Sequence, residues 1–278
     1  MTTAEIPHTD ATVSEHILGL APGRNGRPVL VDAASGVVIS YSSFAATVRA
    51  AAAGLARRGM RPGDVAGVYV SRPAPFALAS HAIRTAGGVP APIGASACGD
   101  TIAAWLTDCD ARMLITDGAL VSAARHIADR SRVRQLISFA QAGDTTRFDA
   151  LLRTGTMRPV PRAGDDLALL AWAHGPEGKP QAVPVTHREL GGELRRLACD
   201  AKLAAWDVIV AGPPCGDGRG YTTLLDFALA VGATVVAAPS TDADAVLAVA
   251  RSHHGTVAFV PPGSQLAGRC LRQITVWP

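Results

Sequence analysis

Lysine is almost absent from this chain: of 26 basic residues, all but Lys179 and Lys202 are arginine. We read that bias as genome composition, not as an arginine-dependent function. Charge of either sign is also thin, at 18% of 278 residues against ~25% in ordinary globular proteins. So little surface charge predicts that something covers part of the molecule. The net charge of +3 is too small to argue for nucleic acid or an anionic membrane. Aromatics, at 5%, offer no platform on which bases could stack. The cysteines, Cys98, Cys109, Cys199, Cys215 and Cys270, are odd in number and contain no CxxC pair. That excludes the usual zinc and disulfide frameworks and predicts a reduced, cytoplasmic protein. Cys215 sits in a Gly/Pro loop with no histidine nearby in sequence, which favours a loop or core cysteine over a nucleophile. No apolar run approaches the ~20 residues of a membrane helix. The first residues, MTTAEIPHTDATVSEH, are polar and acidic where a signal peptide would be basic.

What remains is a hydrophobic chain (48%) in which strand and helix alternate. VLVDAASGVVISY reads as a hairpin and SSFAATVRAAAAGLARRGM as a helix with a serine cap and arginines in its last turns. DVAGVYV, VPAPI, RMLITD and QLISFA read as strands. PAPFALASHAIRTAG reads as a helix with an early proline and a late glycine, and GDTIAAWLTDCDA as an Asp-capped helix. Beyond a polar stretch over 140–165, LALLAWA and VIVAG are apolar throughout, as strands buried on both faces should be. The expected fold class is α/β: layered, largely parallel sheets flanked by helices. The expected division is a first subdomain over 12–145, a connection over 146–165 and a second subdomain over 166–278. His81, inside an apolar helix, is expected in or near the core.

Residues 174–187, HGPEGKPQAVPVTH, follow an apolar strand as a phosphate-cradling loop does. A P-loop needs GxxxxGK[ST]. Here Ala173 takes the first glycine position and Pro180 follows Gly178-Lys179, so the match fails at both ends. A second stretch, CGDGRGY, lies between a strand and a helix, the context of a dinucleotide site. Tyr221 stands where the last glycine of GxGxxG belongs.

The order of landmarks is more specific than any one of them. GMRPGDVAGVYVSRPAPFALASHAIRTAGGVPAPIG, then DDLALLAWAHGPEGKPQAVPVTHREL, then DFALAVGATVVAAPSTDADAVLAVARSHHGTVAFVPP resemble successive motifs of the adenylate-forming enzymes. That superfamily comprises acyl-CoA synthetases, nonribosomal-peptide adenylation domains and luciferases. The resemblance covers roughly residues 12–265 and implies the front part of the family's AMP-binding domain. It places the nucleotide-binding loop at His174, Gly175, Glu177, Gly178, Lys179 and Gln181, followed by Thr186 and His187. It places the acyl or nucleotide pocket at Gly216 and Asp217.

The departures from the family pattern matter as much. The family's loop wraps ATP phosphates with hydroxyls and backbone N–H groups. By the resemblance, Pro176 and Glu177 occupy the two hydroxyl positions and Gln181 the lysine position. His187 is expected to orient the loop-to-helix turn rather than to catalyse. By the resemblance, the family's adenine and ribose motifs and its lysine-bearing C-terminal domain are expected to fall outside the part that these residues match. The expected function is therefore a degenerate, non-catalytic member acting as a binding or interaction module, with no catalytic residue and no metal site. Its partner would be a protein, a second copy or an acyl or carboxylic-acid ligand, meeting an edge or apolar face near 257–276. The rival is part of an ATP-dependent acid–CoA ligase completed by another chain, with ATP or AMP and Mg as cofactors. Residues 174–182 are expected to form a surface loop ending ahead of a helix that starts near Thr186.

Overall fold

The computed structural model describes residues 12–94, 97–143, 145–174, 180–213, 218–260 and 271–275. In chain order its elements are α1 (Val13–Gly19), β1 (Pro28–Asp32), β2 (Val38–Ser40), α2 (Tyr41–Arg57), β3 (Val65–Tyr69), α3 (Pro73–Thr85), β4 (Val89–Pro92), α4 (Gly99–Asp108), β5 (Met113–Thr116), α5 (Val121–Asp129), β6 (Gln135–Ser138), β7 (Thr146–Arg147) and α6 (Phe148–Leu151). There follow β8 (Leu167–His174), β9 (Pro180–Thr186), α7 (His187–Ala201), β10 (Val208–Ala211), α8 (Arg219–Val231), β11 (Thr234–Ala237), α9 (Ala243–Ser252), β12 (Val257–Val260) and β13 (Arg272–Thr275). Local chemistry sets many of the boundaries. Ser40 caps α2 by accepting from the Ser43 N–H. Pro73 opens α3, where its missing N–H is harmless. The expected aspartate cap on α4 is not there: Cys98 is the cap residue, and Asp100 lies in the first turn, where its charge favours the helix dipole.

Two sheets share one winding. The first has the order β4-β3-β5-β6-β7 and is parallel throughout. The second has the order β13-β12-β10-β11-β1-β2, parallel except for the β1–β2 hairpin. In the first, β3 leads through α3 to β4 on one side, and the chain then crosses through α4 to β5 on the other. In the second, β10 leads through α8 to β11 on one side, then through α9 to β12 on the other. Each sheet therefore has a point where the strand order reverses, at β3/β5 and at β10/β12. The strand order crosses the 146–165 connection, because β1 pairs with β11. The largest core cluster likewise joins Val68, Ile115 and Ile137 of one sheet to Ile209, Val235 and Phe259 of the other.

The strand LALLAWA is buried on both faces, as its composition requires, but not by parallel neighbours. β8 pairs antiparallel with β9 in a separate two-stranded ladder. Leu169 and Ala171 join the large core with Leu190 and Leu194 of α7. Leu170 and Trp172, pointing the other way, pack on Val89 and Ala91 of β4, and the Trp172 ring stacks on Trp105 at 4.8 Å between centroids. Strand β9 replaces the expected loop over 180–182. Its residues alternate, with Val183 half-buried and Val185 buried while Pro184 is exposed, which is the period-2 pattern of a half-buried strand. Pro184 is tolerated because β9 has only β8 as a ladder partner among the described residues.

The two windings meet through their equivalent helices, α3 and α8. Phe76 of α3 packs edge-on against Tyr221 of α8 at 5.3 Å. One turn deeper, Asp226 of α8 receives Arg84 Nη1 at 2.7 Å and lies 3.2 Å from His81 Nε2. His81 Nδ1 is 2.9 Å from Ser14 Oγ of α1, and Arg84 Nε donates to the Ala168 carbonyl of β8 at 3.0 Å. All four polar side chains are buried. Burial pushes the Asp226 carboxyl up, but the Arg84 charge and His81 outweigh it and hold it below its ordinary value. Burial lowers His81 against the pull of Asp226, so it stands neutral.

Candidate functional site

The β8–β9 ladder carries the first candidate. Its register runs from Leu167↔Thr186 through Ala173↔Gln181 to His174↔Pro180, so residues 175–179 connect the two strand ends. Gly175, Glu177, Gly178 and Lys179 lie outside the described residues. His174 closes β8. Gln181 is exposed on β9, a neutral side chain in a strand rather than a cation on a loop.

Thr186 and His187 sit at the other end of β9, where strand turns into helix. Thr186 is the cap of α7: its Oγ1 accepts from the Glu189 N–H, and Glu189 Oε2 accepts from the Thr186 N–H at 2.8 Å. This reciprocal box satisfies two of the helix's orphan donors. His187 is the first helical residue, and its N–H donates to the Asp166 carbonyl. Its ring is buried, and Nδ1 has no partner among the described residues. Burial, with the charges of Arg84 and Arg162, lowers the imidazole to about 4, against an opposing pull from Asp166 and Asp226. At neutral pH it carries no charge to offer a phosphate. Arg188, next in line, binds Asp165 at 2.9 Å.

The second candidate lies at the reversal point of the second sheet, between the carboxyl end of β10 and the start of α8. Gly216 and Asp217 fall outside the described residues, but both flanks are in place. Gly218 adopts φ +79, and a Cβ there would meet Pro92 of β4 at 2.7 Å, so only glycine fits. Gly218 thus lies against the carboxyl end of β4, and β4 packs beside β8. The buried Tyr221 donates its hydroxyl to the Gly212 carbonyl at 3.1 Å. The residue that spoils the GxGxxG pattern therefore braces the loop on which that pattern would sit.

Among the described residues, no group of three His, Cys, Asp or Glu side chains is placed to hold a metal, and no helix is long and apolar enough to cross a membrane. The sequence reading missed β9 and the Arg84–Asp226 pair. The first was signalled by the alternation in QAVPV, the second by His81 and Arg84, three apart and the two titratable side chains of the α3 sequence.

A family model described as AMP-binding enzyme matches residues 21–266. The chain is 29% identical over 274 residues to 4-coumarate--CoA ligase-like 3 of Oryza sativa subsp. japonica, covering 90% of this chain and 46% of that protein. It is 27% identical over 154 residues to tyrocidine synthase 3 of Brevibacillus parabrevis, covering 55% of this chain and 2% of that one. Among solved structures it is similar to a long-chain-fatty-acid-CoA ligase from Archaeoglobus fulgidus, with a TM-score of 0.82 and 17% identity over 94% of this chain and 53% of the other. It is also similar to a benzoate CoA ligase from Burkholderia xenovorans LB400, with a TM-score of 0.78 and 23% identity over 91% and 50%. The chain spans about half the length of the ligases it matches.

Proposed function

The chain belongs to the AMP-binding enzyme family, with the α/β fold of the acyl-CoA ligases, and we propose that it is a member that binds without adenylating. The observation that carries this reading is the chemistry of residues 174–181. Pro176 has no N–H to give a phosphate. Each lost charge-assisted hydrogen bond removes about 1.5–3 kcal/mol. Glu177 brings a negative charge to a site for a polyanion, a repulsion of about 4 kcal/mol per charge pair at ~4 Å and a near-surface dielectric. Gln181 is neutral where the family's lysine belongs, and the His187 imidazole, at the far end of β9, is held neutral too. Lys179 is the one cation within the loop sequence.

On this reading the ligand is an acyl or carboxylic-acid molecule, or a protein partner, taken up beside Gly218, where the start of α8 meets Pro92 of β4. The glycines, Thr186 and His187 then serve the turn rather than a phosphate. Titration calorimetry with ATP and AMP, with and without magnesium, tests the reading. The expected result is no saturable heat in the micromolar range for the wild-type chain. The triple variant Pro176→Thr, Glu177→Thr, Gln181→Lys is expected to gain phosphate affinity. Micromolar ATP binding by the wild type would reject the reading in favour of its rival, an acid–CoA ligase half completed by another chain.

A further inference from the structure

The reversal point of the first sheet has a polar group that nothing above employs. Strands β3 and β5 end level with one another, Tyr69 opposite Thr116. In open parallel sheets, ligands bind outside the carboxyl ends where the strand order reverses. Two residues beyond β3 is Ser71, and one residue beyond β5 is Asp117. Ser71 gives Asp117 Oδ2 both its N–H, at 2.6 Å, and its hydroxyl, at 2.7 Å. The other carboxylate oxygen, Oδ1, is buried and has no partner among the described residues. Asp117 is 1% exposed, yet Gly118 and Ala119 beside it are exposed and Ser71 is half-buried. Arg72, next to Ser71 in sequence, is committed to Asp32 at 3.1 Å. The charge is felt locally: burial, then the Asp117 charge, raise the Tyr69 phenol.

A buried carboxylate with two neutral donors on one oxygen and none on the other lacks both a hydrogen bond and a counter-charge. A metal ion would need several ligands, and no cluster of three is present among the described residues. A hydroxyl would supply the hydrogen bond but not the charge. An ammonium supplies both. We propose that the β3/β5 reversal point is a binding site for a small primary amine, with Asp117 Oδ1 accepting from the ammonium and Ser71 holding the carboxylate in place.

Titration of the full chain with ethanolamine, followed by amide NMR shifts, tests this. The resonances of Ser71, Asp117 and Gly118 are expected to move saturably in the wild type and not in Asp117→Asn. Ser71→Ala is expected to bind about tenfold more weakly, the effect of one lost charge-assisted hydrogen bond. It also serves as the deciding variant if Asp117→Asn does not fold. Ethylene glycol, which has the hydroxyls without the ammonium, is expected to move none of these amides. The proposal fails if the wild-type amides do not saturate, if Asp117→Asn or Ser71→Ala responds as the wild type does, or if ethylene glycol or magnesium chloride reproduces the shifts.

Discussion

Around β3 and around β10 the chain follows the same path, yet the two central strands end in different chemistry. Past β10 come Gly212, Pro213 and Gly218, with Tyr221 bracing the turn through the Gly212 carbonyl. The backbone there is the feature, shaped by a glycine that its positive φ and its close approach to Pro92 both require. Past β3 comes a side-chain pair, Ser71 on Asp117, with little special about the backbone. The strand order makes a crevice position in both sheets, and what occupies it is decided by a few loop residues. Fold therefore says where a ligand would sit, and only the local residues say which ligand.

The comparison breaks most severely where the two windings touch. Asp226 of α8 answers Arg84 of α3, and both side chains are almost wholly buried. Removing one member of such a pair strands the other charge, which costs about 3–5 kcal/mol. Asp226→Ala is therefore expected to lose that much stability, read from the midpoint of urea unfolding. Replacing both partners, as in Arg84→Met with Asp226→Leu, should recover most of it, because an apolar contact of similar volume needs no counter-charge. If the double variant is as unstable as the single one, the pair is not what holds α3 to α8.

The longer helices and most of the parallel strands were legible because period, caps and two-sided burial all act within a few residues, whereas α1 and α5 went unread. PAPFALASHAIRT announces a helix by Pro73 and its apolar faces, and VIVA announces a central strand by having no polar face. The separate β8–β9 ladder was not legible in that way. A run such as LALLAWA is equally apolar whether helices and parallel strands cover it or an α7 face on one side and β4 on the other. The equivalence of the two windings was invisible too, since α3 and α8 share a position in the fold without sharing a sequence. Of the candidate site, the helix start near Thr186 was readable from the resemblance, and the capping box that makes it came only with the structure. The neutral state of His187 was not, because it depends first on burial of the ring and then on Arg84 and Arg162, distant in sequence.

That dependence sharpens the comparison by tying the hairpin to the interface between the windings. His187 is lowered to about 4 in the folded chain, whereas an unfolded histidine titrates near ~6.5. Between those values the unfolded chain binds a proton that the folded chain refuses. The His187 contribution is then fully present above the unfolded value and drains away as pH falls toward 4. Unfolding free energy measured between pH 7 and pH 4.5 should fall less steeply in His187→Gln than in the wild type. Equal slopes would mean that the ring is already solvated in the folded state.

The smallest expected effect belongs to the element that neither winding shares. Thr186 ends β9 and begins α7, and the box it forms with Glu189 is exposed at the carboxylate. Loss of a capping side chain costs about 1 kcal/mol, and in a chain of this size that lowers a melting temperature by roughly 2–4 °C. Thr186→Ala should show that loss, and Thr186→Ser should restore it, since serine keeps the hydroxyl that accepts from the Glu189 N–H. The effect should be confined to α7 and the hairpin. Hydrogen exchange is expected to quicken in the first turn of α7 and in β9 while the amides of β3, β5, β10 and β12 keep their protection. Quickened exchange across both large sheets would mean instead that the cap is coupled to the α3–α8 interface, and that the hairpin is a working part of the paired windings rather than an addition to them.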